Sequence, residues 1–139
     1  MRYFLDTNIF LRFLVIEDKR AHGACKELLR RIRSKKIKAI TSSLVLAEIV
    51  WVLQSFYKFP KERVIEALRV FYGIGLVLND RVNIGAALDL YESKNVKFVD
   101  ALIASHPLLQ KKGISIISYD TDFDSLGVTR VTPEAVIKK

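Results

Sequence analysis

The sequence predicts an α/β fold in which a central parallel sheet lies between helical layers, a three-layer α/β/α arrangement. Two observations carry that expectation. Short apolar runs of strand length alternate with longer stretches of helical periodicity, and strands joined through helices run parallel with both faces covered. The chain of 139 residues is also of globular composition throughout, half hydrophobic and 27% charged, with no Gly-, Ser- or Pro-rich linker and no repeat. Residues 1–139 are therefore read as a single domain with one core.

The elements follow in order. Tyr3 to Leu5 is a short apolar strand leading into the turn Asp6, Thr7, Asn8 and a helical stretch carrying Ile9, Phe10, Phe13 and Leu14. His22 to Lys35 is an amphipathic helix, with Cys25, Leu28, Leu29 and Ile32 three to four residues apart. Ile37 to Ile40 is the second strand, and Thr41, Ser42 or Ser43 offers a hydroxyl cap to the helix that follows. Residues 44–53, LVLAEIVWVL, are apolar at nine of ten positions and read as a buried helix with Glu48 in its middle. Pro60 opens a helix running to about Tyr72, Gly75 to Leu78 is a further strand, and Asn83 to Tyr91 is a helix. Ala101 to Gln110 forms the next helix, bent or interrupted near Pro107, before Gly113. Ile114 to Ser118 and a stretch near Val128 to Val131 supply the last strands.

Composition narrows the function. The apolar runs are broken by charge well before the roughly 18 residues a membrane span requires, and Asp6 interrupts a start that a signal peptide would keep apolar, so a cytoplasmic protein without a membrane partner is expected. The single cysteine, Cys25, cannot form an internal disulfide and has no zinc-like spacing around it. Basic residues exceed acidic ones by eight, and Lys19 to Lys38 holds nine of them against the one acid Glu27. Such a stretch either solvates a helix end, where cations suit the dipole, or attracts a polyanion.

The acids carry the chemistry. Asp6 and Asp120 follow strands directly, at the carboxyl edge where open parallel sheets bind ligands. Asp100 lies at the start of the helix in VKFVDALIAS, and Glu48 lies about one and a half turns into a helix that follows a strand of the same sheet. Each has an ordinary reading: Asp6 and Asp100 as helix caps, Asp120, Asp122 and Asp124 as turn formers, Glu48 as reaching solvent by its stem or pairing with a basic side chain. One shared explanation covers all four: convergence at a single edge. Two carboxylates about 4 Å apart repel by roughly 4 kcal/mol at an effective dielectric of 20, so a converged cluster must take up protons or hold a cation. All-oxygen ligation suits Mg²⁺ or Mn²⁺, ions that activate water for phosphoryl chemistry. A calcium loop starting at Asp120 fails, since Ser125 stands where its sixth-position Gly belongs and Val131 where its twelfth-position Glu belongs. A Mg²⁺-dependent phosphatase leaves Glu48 unexplained, and a catalytically idle RNA-binding module treats the acids as caps; dependence of RNA cleavage on a divalent ion separates the latter from an enzyme.

The order LDTNI, LAEI, FVDALIAS and ISYDTDFDSL resembles the PIN domain over nearly the whole chain, and within it the VapC-type toxins of prokaryotic toxin–antitoxin pairs. The resemblance implies a metal-dependent ribonuclease using Mg²⁺ or Mn²⁺, a homodimer, and an antitoxin partner that blocks the site. By position, Asp6, Glu48 and Asp100 match the family's first three acids and Asp120 the fourth, with Ser118 as its supporting hydroxyl and Asp122 as an auxiliary ligand. His106 and Pro107 depart from the family's usual helix. Phe56, Tyr57 and Phe59 are candidates for a dimer surface or for the core.

Overall fold

The structure, a computed structural model, describes residues 2–139. Five strands form one sheet: β1 (Arg2–Leu5), β2 (Lys38–Thr41), β3 (Val77–Leu78), β4 (Ser115–Ile117) and β5 (Arg130–Val131), in the order β3-β2-β1-β4-β5. Every pairing is parallel. The register Tyr3 to Ala39 on one side and Tyr3 to Ser115 on the other makes β1 the spine. Phe4, Leu5, Ile40, Ile116 and Ile117 are buried almost completely, as central parallel strands covered on both faces require.

Helices fill the crossovers: α1 (Thr7–Leu14), α2 (Lys19–Arg33), α3 (Ser43–Ser55), α4 (Lys61–Ile74), α5 (Ile84–Ser93), α6 (Phe98–Ala104), α7 (Pro107–Gln110) and α8 (Pro133–Ile137). The expected amphipathic stripe of α2 is present, with Cys25, Leu28, Leu29 and Ile32 buried. Ser42 caps α3 by accepting a bond from the Val45 amide. Gly75 ends α4 at φ 81°, a left-handed conformation that glycine adopts without a Cβ clash. The break near Pro107 is real: α6 stops at Ala104, the buried His106 caps α7 by accepting the Leu108 amide, and Pro107 takes the first helical position, where its missing N–H costs nothing.

Two expectations need correction, and two stretches left open are now placed. The helix expected from Ala101 begins at Phe98, so Asp100 stands inside its first turn and caps nothing. The helix α3 is not buried all round: Val45, Ile49 and Leu53 face the core, whereas Trp51 is 66% exposed, and Leu46, Ala47 and Val50 line an open apolar groove of about 730 Å³ shared with Ile65, Leu68 and Tyr72 of α4. Of the three aromatics after α3, Phe56 is exposed with its ring edge-on to Tyr57; the Tyr57 hydroxyl donates to Glu17, and Phe59 packs on the core beneath the Arg63 guanidinium at 3.8 Å. Finally, the basic run from Arg30 to Lys38 leads into the start of β2, where Lys38 pairs with Arg2 at the start of β1. It lies at the amino-terminal edge of the sheet, a strand's length from the acids. No described helix is long and apolar enough to cross a membrane.

Candidate metal centre

The strand order creates the site. From β1 the chain moves outward to β2 and β3 on one side, then returns to β4 and β5 on the other, so connections leaving β1 and β4 diverge and open a crevice at their carboxyl ends. Asp6 follows β1, and Ser118 and Asp120 follow β4. The crossover after β2 brings Glu48 on α3, and the segment before β4 brings Asp100 on α6.

Asp6 is 3% exposed, and although it stands at the amino end of α1 its side chain makes no capping bond there. Its Oδ2 instead accepts from the Ser118 hydroxyl at 2.7 Å and from Asn8 Nδ2 at 3.0 Å. Asn8 also donates to Ser118 Oγ at 3.0 Å and accepts the Tyr119 amide at 3.2 Å, while the Asp120 amide donates to Ser118 Oγ at 3.0 Å. This clasp ties the end of β1 to the end of β4 and fixes the Asp6 carboxyl between them. Burial pushes that carboxyl up to about 6; bonds from the Ser118 hydroxyl and the Thr7 backbone amide hold it down, and the charges of Glu48 and Asp120 push it further up.

Asp100 is 2% exposed, and its Oδ2 is fully buried with no hydrogen-bond partner. Burial raises its carboxyl to about 7, the Lys97 ammonium pulls against that rise, and Asp6, Asp120 and Glu48 add to it. Glu48 is better provided for. Its Oε1 accepts the Thr7 hydroxyl, and Lys97 Nζ stands 3.8 Å from Oε2. A carboxylate on an apolar helix thus survives because it points into the crevice, toward a donor and a cation.

One carboxylate oxygen from each of Asp100, Asp120 and Asp122 lies within 4.8 Å of the others. Asp120 does form the expected turn, its Oδ1 accepting the Asp122 amide at 2.9 Å. Asp124 stays outside, paired with Arg130 at 2.9 Å. Asp100, Asp120 and Asp122 are therefore brought together, Asp6 and Glu48 lie near enough for their charges to act on Asp100, and Ser118 supports Asp6 as well as the Asp120 backbone. Thr7, Asn8 and Lys97 are the polar neighbours that sequence reasoning gave no role. All three lie inside or beside the motif stretches, and their flanking position was the only signal.

The donor set is all oxygen, with neither histidine nor cysteine in it. A buried carboxylate oxygen without a partner, with the carboxylates of Asp120 and Asp122 close beside it, fits a hard divalent cation and no soft one.

The PIN domain model matches residues 3–128. The chain belongs to the PIN domain family. Two solved structures share this PIN fold over almost their full length. VapBC2 from Rickettsia felis, bound to a DNA fragment from its promoter, superposes with a TM-score of 0.68 at 19% identity, covering 95% of this chain and 98% of the other. Mycobacterium tuberculosis VapC20, described as a Sarcin–Ricin loop cleaving toxin, superposes with a TM-score of 0.66 at 25% identity, covering 94% and 99%. No curated relative matches the chain.

Proposed function

We propose that this PIN domain is a ribonuclease that hydrolyses RNA phosphodiester bonds with Mg²⁺ or Mn²⁺ and serves as the toxin of a toxin–antitoxin pair. The observation that carries the reading is the orphaned Oδ2 of Asp100, buried beside Asp120 and Asp122 and within reach of the charges of Asp6 and Glu48. The likeness to VapC20, a Sarcin–Ricin loop cleaving toxin, and to a VapBC assembly supports the choice of RNA as substrate and of an antitoxin as partner.

In this reading Asp6, Glu48 and Asp100 hold the principal ion, Asp120 completes the site, and Asp122 is auxiliary. When bound, the ion supplies the positive charge that polarises the attacking water and balances the charge growing on the phosphate. The residues of the chain do the positioning. Ser118 and Asn8 orient Asp6, and Thr7 orients Glu48. Single-stranded loops are the proposed targets, because a stem hides its bases.

The homodimer expected of such a toxin has a natural face. On α5, Ile84, Leu88 and Tyr91 recur at helical spacing and are all exposed, with Phe98 edge-on to Tyr91; only Ala87 of that helix is buried. Light scattering should give twice the chain mass, and Leu88→Glu should reduce it to one.

The deciding experiment is cleavage of a structured RNA by the purified chain, which should require Mg²⁺ or Mn²⁺, stop with a chelator, and be lost in Asp6→Asn. Metal-independent cleavage, or undiminished cleavage by Asp6→Asn, would refute the assignment.

A further inference from the structure

Lys97 breaks two local rules. It occupies the residue before the first turn of α6, where short side chains that accept hydrogen bonds are favoured, and its side chain makes no capping bond. It also puts a positive charge at the positive end of the helix dipole. Something nearby must make that placement favourable.

The crevice does. Of the ion pairs among the described residues, that between Lys97 and Glu48 is the one that includes an acid of the crevice. The Lys97 ammonium also feels the charges of Asp100, Asp120 and Asp6. Yet its side chain is 66% exposed, and a long flexible stem anchored at the rim reaches either Glu48 or open water with little rearrangement. A divalent ion held by Glu48 and Asp100 would claim the same carboxylates.

Resting on the metal-centre reading above, we propose that Lys97 is a built-in counter-cation that competes with the divalent ion for the acid crevice and sets the ion concentration at which the site loads. With no divalent ion it partly neutralises the acids. On loading it gives up Glu48 and swings to the rim. The consequence is a deliberately weakened site: an ammonium about 6 Å from a divalent charge in a water-like medium opposes binding by roughly tenfold.

The test is calorimetric titration of the full chain with Mn²⁺ alone, without RNA, comparing the native chain with Lys97→Met, Lys97→Arg and Asp100→Asn. Lys97→Met keeps the stem and removes the charge, and should bind Mn²⁺ about tenfold more tightly. Lys97→Arg keeps the charge and should stay close to the native affinity. Asp100→Asn should lose binding. If Lys97→Met binds no better than the native chain while Asp100→Asn fails to bind, the metal centre stands and the competition proposal falls. Failure of the native chain itself to take up Mn²⁺ overturns both.

Discussion

Glu27 and Asp100 are carboxylates of the same small protein whose protons are held in opposite ways. Glu27 lies in the second half of α2, half-buried, gripped by Arg30 at 2.7 Å and by Arg31 at 2.8 Å, and the bonds to these two guanidiniums take its carboxyl down to about 2. Asp100 lies in the crevice at the other edge of the sheet, buried and without a partner for one oxygen, and is driven up to about 7. On the edge crowded with basic residues, Arg30 and Arg31 are therefore already paired. Around Tyr3, the concavity of about 470 Å³ lined by Arg30, Arg31, Lys36 and Lys139 has its arginines committed to Glu27, and Arg31 also donates to the Ile137 carbonyl at 2.8 Å. In a chain with formal charge +8, it is the acidic edge that keeps an unpaired carboxylate oxygen. Net charge pointed to the edge that holds this paired carboxylate, Glu27; burial points to the edge that holds the unpaired one.

The comparison breaks most visibly at Asp100. Asp100→Asn should reduce metal-dependent RNA cleavage by about a thousandfold, the several kcal/mol that an ion supplies to such a transition state at about 1.4 kcal/mol per decade, as read by initial rates. Next comes stability without metal. Because Asp100 binds its proton more tightly folded than unfolded, the native chain should lose stability as pH rises from the ordinary carboxyl value of 3.8 through about 7. Asp100→Asn should be spared that loss, and urea melts should place it about 2 kcal/mol above the native chain at pH 8 with little difference at pH 4. Equal pH profiles would contradict the buried-charge argument. A smaller effect is expected one step from the ion: Thr7→Ala removes the donor that orients Glu48 and should weaken Mn²⁺ binding about tenfold, measurable by the same titration. The smallest belongs to the paired carboxylate. Glu27→Gln should leave Mn²⁺ affinity unchanged and barely move the melting temperature, since exposed ion pairs contribute little.

Sequence pattern reached the framework and the acids for a physical reason. The strands around Phe4, Ile40 and Ile116 are covered on both faces, so they read as unbroken apolar runs, and an Asp just past such a run has few places to go. The weaker elements escaped it. Helix α8 has five residues, too few for a period to register; its start is legible only in hindsight, from Thr132 accepting the Ala135 amide and Pro133 at the first helical position. The true start of α6 was hidden because Lys97 is a poor cap, and Phe98 and Val99 look like ordinary apolar sequence. Helix α3 misled because Trp51, Leu46 and Val50 are apolar without being buried, and hydrophobicity alone does not say whether a residue faces the core or an open groove. Thr7, Asn8 and Lys97 could not be assigned in one dimension, since their partners Glu48 and Ser118 lie far along the chain.

The exposed face of α3 also furnishes the molecule with its own optical probe. Trp51 is the sole indole in the chain and stands three residues beyond Glu48, on the neighbouring turn of the same helix. Its emission therefore comes from one known spot on α3, one helical turn from Glu48, with no second fluorophore of its kind to dilute the signal. Occupancy by an ion, a nucleic acid strand or a protein partner can thus be followed in the unlabelled chain by light alone.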